Sequence, residues 1–277
     1  MTSIHQAAYA ALLLCDPSAK AREADRLYAL PHLALAGPDE PPPVPVPDPG
    51  RPVRPRLVLP RELARRDWRD AEGRRVLAHA LAHIEFNAIN IALDAVYRFR
   101  GLPEAFYRDW LRVASEEGRH FNLLRAYLQD GSADYGDWPA HDGLWEMVRR
   151  TDDDVMIRMA LVPRVLEARG LDVTPGMQAR LREAGDERLV AILDVIYREE
   201  IGHVEIGTRW FRHLCAERGL EARETFRDLL ARYMQGRIRG PYDELGRRQA
   251  GFTDEEMDDL RALETNMLEQ LERRAAV

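Results

Sequence analysis

The strongest constraint on how this chain can fold is a spacing that occurs twice. Glu85 is followed 32 residues later by Glu117, within Glu117-Gly118-Arg119-His120, and Glu167 is followed 33 residues later by Glu200, within Glu200-Ile201-Gly202-His203. On an α-helix a step of three residues turns ~300° and rises ~4.5 Å, so a Glu and the His three positions on share a face one turn apart. Two such pairs, each preceded by a lone Glu at almost the same distance, read as two similar helical hairpins aimed at a common point.

The rest of the chain agrees with an all-α fold. The periodicity after residue 60 is helical almost throughout, with few alternating runs of the kind that strands need. Four long helices are predicted: about 68–99, stopping at Gly101; 103–130, opened by Pro103; 144–169, stopping at Gly170; and 186–217, stopping at Gly219. The first two are joined so tightly that they should be antiparallel neighbours. Thr174-Pro175 starts a short extra helix that Gly185 closes. Beyond Gly219 come a helix near 222–234, a break at 236–241 and a last helix from Thr253, where Thr253 and Glu256 have capping-box spacing. The N-terminus reads as one amphipathic helix, and GPDEPPPVPVPDPGRPVRPRLVLP, over 37–60, is too rich in proline to be anything but an extended connector. The chain thus divides into four segments: 1–36 helical, 37–60 connector, 61–219 bundle, and 220–277 accessory helices packed on it.

Glu85, Glu117, His120, Glu167, Glu200 and His203 together offer four carboxylates and two imidazoles. That donor set neutralises two divalent cations and suits iron, or manganese, better than a thiolate-seeking metal. Around Glu85 the positions at helical spacing are Leu81, Ala88, Ile89, Ala92 and Val96; around Glu200 they are Leu193, Ile196, Val204 and Gly207. A carboxylate on an apolar stripe is costly unless paired or bound to metal. The competing readings are a bundle held by salt bridges and a surface Glu/His pair on each helix. Glu167 has no neighbouring histidine, and Pro163 one turn earlier predicts a kink. His79 and His83 point away from Glu85 and read as structural or surface residues. Tyr197 lies one turn before Glu200 on the face of the proposed metals. Trp110 and Trp210 read as core.

The motifs EEGRH and EEIGH, with single glutamates on two further helices, resemble the signature of the ferritin-like diiron-carboxylate superfamily. Within it the run HIEFNAINIALDAVYRF around Glu85 is similar to an uncharacterised bacterial family, distantly similar to tRNA-modifying diiron monooxygenases. The resemblance covers about 68–219. It implies a ferritin-like four-helix bundle with accessory N- and C-terminal helices, two iron ions, and the six residues as ligands. It also implies that Glu116 and Glu199, each just before a Glu-x-x-His, hydrogen-bond a ligand histidine and set its tautomer.

The expected activity is that of an oxidoreductase that uses dioxygen or peroxide to oxidise an organic substrate, with electrons from an external reductase. An iron-oxidising, iron-storing protein and a metal-free interaction bundle are the alternatives, and a homo-oligomer is compatible with any of them. A net charge of −7, with arginines dispersed among acids and Lys20 the sole lysine, argues against nucleic acid as the main partner. Cys15 and Cys215, 200 positions apart, imply no disulfide, and no apolar stretch at the N-terminus is long enough to span a bilayer, so a cytoplasmic location is expected. P-loop, dinucleotide-binding and nucleophile-elbow motifs are absent.

Overall fold

The computed structural model describes residues 2–37, 39–63, 68–234 and 238–275, and the fold is all-α. Gly236, expected to open the break after residue 234, lies outside the described residues, as does Pro38 of the connector. The chain divides into two units, one of residues 1–153 and 178–196, the other of 154–177 and 197–277.

In the first unit the expected single N-terminal helix is two, α1 (Ile4–Leu12) and α2 (Pro17–Tyr28). Asp16 accepts from the Ala19 amide at 2.7 Å and Pro17 takes the first turn, so the Asp-Pro pair starts a new helix where periodicity alone continues the old one. Helix α3 (Ala71–Arg98) begins at the Asp70 cap. After the turn at Gly101, where φ is +78°, the chain returns as α4 (Glu104–Asp130). The two form the expected antiparallel hairpin, α1 packing on α3 and α2 on α4.

Helix α3 is one of the helices whose side chains order the proline-rich connector. By length and composition it could cross a membrane, but 78% of its apolar window is buried inside the protein. Its buried face includes a polar stripe, His79, His83, Asn87, Asn90, Asp94 and Arg98. Backbone that forms no helix needs other hydrogen-bond partners, and side chains supply them. Tyr97 accepts from the Val44 amide at 2.8 Å, and Trp145 and Arg149 each donate to the Pro47 carbonyl at 3.0 Å. Lys20, fully buried beside Phe86, donates to the Leu12 and Gly50 carbonyls at 2.8 and 2.7 Å and to Asn90. Burial pushes its ammonium down to about 7, while the three acceptors match the three N–H groups that only the charged form has.

The expected third long helix is interrupted. It consists of α5 (Gly143–Arg149), α6 (Val155–Leu161), a π-helical turn (Val162–Glu167) and α7 (Ala168–Glu183). The run Thr151-Asp152-Asp153-Asp154 breaks it: Thr151 donates back to Met147 O, and Asp154 accepts from the Met156 and Ile157 amides, side chains competing with helical hydrogen bonds. Gly170 does not end the next helix, nor does Thr174-Pro175 begin another. Both lie inside α7, where the Thr174 hydroxyl donates to Gly170 O at 2.7 Å.

Helix α8 (Glu187–Glu217) runs from the first unit into the second, which also holds α9 (Ala222–Tyr233), α10 (Glu244–Gln249) and α11 (Asp254–Ala275). The capping box at α11 forms as expected, the Thr253 amide donating to Glu256 and the Glu256 amide to the Thr253 hydroxyl. Helix α10 falls in a stretch without a predicted element. It is started by Asp243, whose carboxylate accepts from the Gly246 amide.

Candidate metal centre

Helices α3 and α4 bring three of the predicted residues together inside the first unit. Glu85 is 4% exposed, and Glu117 and His120 are fully buried. His120 Nδ1 lies 3.3 Å from a Glu85 carboxylate oxygen and 3.2 Å from one of Glu117. One ligand atom from each of the three falls within 4.8 Å of the others. The i,i+3 relation of Glu117 and His120 places both on the inner face of α4, while Ala88, Ile89 and Ala92 keep the Glu85 stripe of α3 buried and narrow. Between the two α4 residues Gly118 admits Ala21 of α2, which a Cβ would meet at 3.2 Å.

Burial, then the neighbouring Glu117 charge, hold the Glu85 carboxyl well above the ordinary range, against the pull of His120. Two carboxyl groups this close in a low-dielectric interior need a proton or a cation to offset their repulsion. Two carboxylate oxygens and a ring nitrogen are atoms that can ligate a metal ion. The cluster of buried acids and histidine could therefore hold a metal ion.

In the second unit α8 buries Glu200, 8% exposed, and His203, fully buried, with His203 Nδ1 3.7 Å from a Glu200 oxygen. Glu167 is half-buried and ends the π turn. The predicted kink at Pro163 is thus a π turn, a device found often at functional sites, and proline starts it by lacking the amide that an α-helical bond would need. The Pro163 ring seats on α8 at Gly207, one turn after His203. A Cβ there would lie 2.2 Å from Pro163 Cγ and 2.3 Å from its Cβ. A pyrrolidine cannot swing aside, so Gly207→Ala is expected to destabilise by about 1–3 kcal/mol and to lower the melting temperature. An unchanged thermal melt would refute the contact.

Glu116 is half-buried and accepts from Arg112 at 2.9 Å, and Glu199 is half-buried on α8. Tyr197 gives its hydroxyl proton to Asp243. His79 and His83 are structural, as expected: His79 Nε2 accepts from the Gly136 amide at 2.9 Å, and His83 Nδ1 meets the Tyr135 hydroxyl at 2.8 Å. Trp110 is core, 1% exposed. Sequence reasoning missed Arg164, a fully buried arginine in the π turn; its only signal was its place between Pro163 and Glu167.

A family model described as "Protein of unknown function (DUF455)" matches residues 13–258. The chain belongs to the DUF455 family. An "Uncharacterized protein" of Haemophilus influenzae is 44% identical over 269 residues, 93% of each chain. All six predicted ligands of this DUF455 protein lie inside the matched span. No solved structure matches the chain.

Proposed function

We propose that Glu85, Glu117, His120, Glu167, Glu200 and His203 hold two metal ions, iron or in its place manganese, in a ferritin-like arrangement, and that the protein is an oxidoreductase using dioxygen to oxidise an organic substrate. The buried contact of His120 with both Glu85 and Glu117 is the observation that carries this reading. The repetition of the same residue types at Glu167, Glu200 and His203 extends it to a second ion.

Bound iron would supply the one-electron chemistry that protein side chains lack. The side chains bind and shield it. Glu117 and His120 present a carboxylate and an imidazole from one helical turn. Glu85 adds a second carboxylate from α3, and burial excludes water from all three. For a hydroxylation the balance is substrate C–H plus dioxygen, two electrons and two protons giving the alcohol and one water, so an external reductase must provide the electrons.

The test is dioxygen uptake by full-length protein reconstituted with Fe(II). Uptake with about two irons retained per chain, lost in Glu117→Ala, is the expected result. Uptake unchanged in that variant overturns the assignment, and retention of iron far beyond two per chain turns it to iron storage.

A further inference from the structure

Arg164 has no part in the ligand set, yet it is the most unusual side chain of the second unit. Its guanidinium is fully buried, 3.9 Å from the ring centre of Phe226, 4.7 Å from Phe252 and 4.9 Å from Phe211. Nη2 pairs with Glu256 at 2.5 Å, while Nε and Nη1 make no hydrogen bond among the described residues. Glu256, 3% exposed, is the capping-box residue of α11, and its other oxygen takes the Thr253 amide and Arg212. A methionine would fill this space at lower desolvation cost. What the guanidinium adds is direction: a flat cation held between rings and tied to one carboxylate can sit in one way only.

That direction bears on Glu167. Arg164 stands three residues before it in the same π turn. A π turn holds one residue more than an α turn, so relaxation to α-helix would swing the residues beyond it by ~100° about the axis. Pro163 on Gly207 starts the turn, but a proline cannot set where the turn ends. The clamp reaches elements from three parts of the chain, α8 through Phe211, α9 through Phe226 and the start of α11 through Phe252 and Glu256.

We infer that Arg164 is a positioning residue for Glu167, the Phe211–Phe226–Phe252 cage and Glu256 locking the π turn in the register that presents this carboxylate to the second metal ion. The inference rests on the dimetal reading above for the metal, though not for the lock itself. It also accounts for the C-terminal helices, since α9 and α11 hold a ligand-bearing turn in shape.

The experiment uses the full chain, with Arg164→Met, the milder Glu256→Gln, and Asp154→Asn as control. The control weakens an ion pair with Arg218 at the start of α6, in the same unit but off the π turn. Hydrogen exchange of metal-free protein reads the turn, and Mn(II) titration followed by electron paramagnetic resonance reads the two sites. In Arg164→Met and Glu256→Gln, amides 164–168 are expected to exchange at least tenfold faster. The weaker Mn(II) site should lose at least tenfold in affinity while the tighter one keeps its own; Asp154→Asn should change neither. Wild-type exchange in the turn together with wild-type affinity at both sites, in either folded variant, overturns the inference. Should the unmutated protein bind no Mn(II), the dimetal reading fails, and the exchange data alone decide whether Arg164 holds the turn.

Discussion

Full-length protein supplied with Mn(II) or Fe(II) should melt well above its metal-free form, and Glu117→Ala should erase the difference. Ligand that binds only the folded state adds about 2.7 kcal/mol when its free concentration is a hundredfold over the dissociation constant. Two ions add about twice that. At roughly 2–4 °C per kcal/mol for a chain of this size, the rise is on the order of 10–20 °C. Glu117 is the residue to remove because it is fully buried and shares His120 with Glu85. Its loss takes one carboxylate from the ion and relieves the like charge that raises Glu85. The metal-free variant should therefore melt close to, or above, the metal-free parent, while gaining nothing from added metal. A metal-dependent rise that survives in Glu117→Ala would remove this residue from the site. Calorimetry with and without chelator measures both quantities.

A second large effect is expected on acidification, from two buried histidines that are not among the proposed ligands. Burial holds His79 down to about 4 and His83 down to about 3, both neutral in the folded chain. The hydrogen bonds agree, since His79 Nε2 accepts from the Gly136 amide and has no room for a proton. Asp137 favours the charged form of His79 and the His141 carbonyl that of His83, which the charges of His79 and Arg51 oppose, but desolvation is the largest cause for each. The folded pKa values lie below the unfolded one near 6.5, so between them the unfolded chain binds more protons. Stability is fully present above about pH 6.5 and is lost as pH falls through the window down to about 4 for His79 and about 3 for His83. At pH 5 each ring costs roughly 2 kcal/mol, about 4 together. Denaturant melts at pH 7 and pH 5 should differ by that amount, and His83→Gln should remove about half of it. Equal midpoints at the two pH values would mean that the rings are solvated.

Both expectations depend on features with different visibility in the sequence. The Glu-x-x-His pairs were legible because helical spacing is local: three residues on one helix share a face whatever else the chain does. The α3–α4 hairpin was legible for a related reason, its two helices being separated by a turn too short to permit any other pairing. The capping box at Thr253 and Glu256 also lies within one turn. Competition between side chains and backbone was harder to see. Asp16-Pro17 splits the N-terminal helix, Asp154 restarts the third, and Pro175, expected to start a helix, is carried inside α7.

The polar stripe of α3 could not be anticipated, because partners of its side chains come from distant segments: His79 takes the Gly136 amide and Asn90 the buried Lys20 ammonium. Arg164 is the sharper case. Nothing nearby in sequence marks it as buried; its cage comes from Phe211, Phe226 and Phe252, and its counter-ion from Glu256, 92 residues away.

The sequence by itself determined the all-α class, the punctuation of most helices and the residue types that can bind a cation, since each depends on interactions within a few residues of the chain. The tertiary structure alone decided which of those side chains meet in a dry interior and how a π turn is held. Burial and like-charge contact are properties of distant segments brought together, and they set what each carboxylate costs.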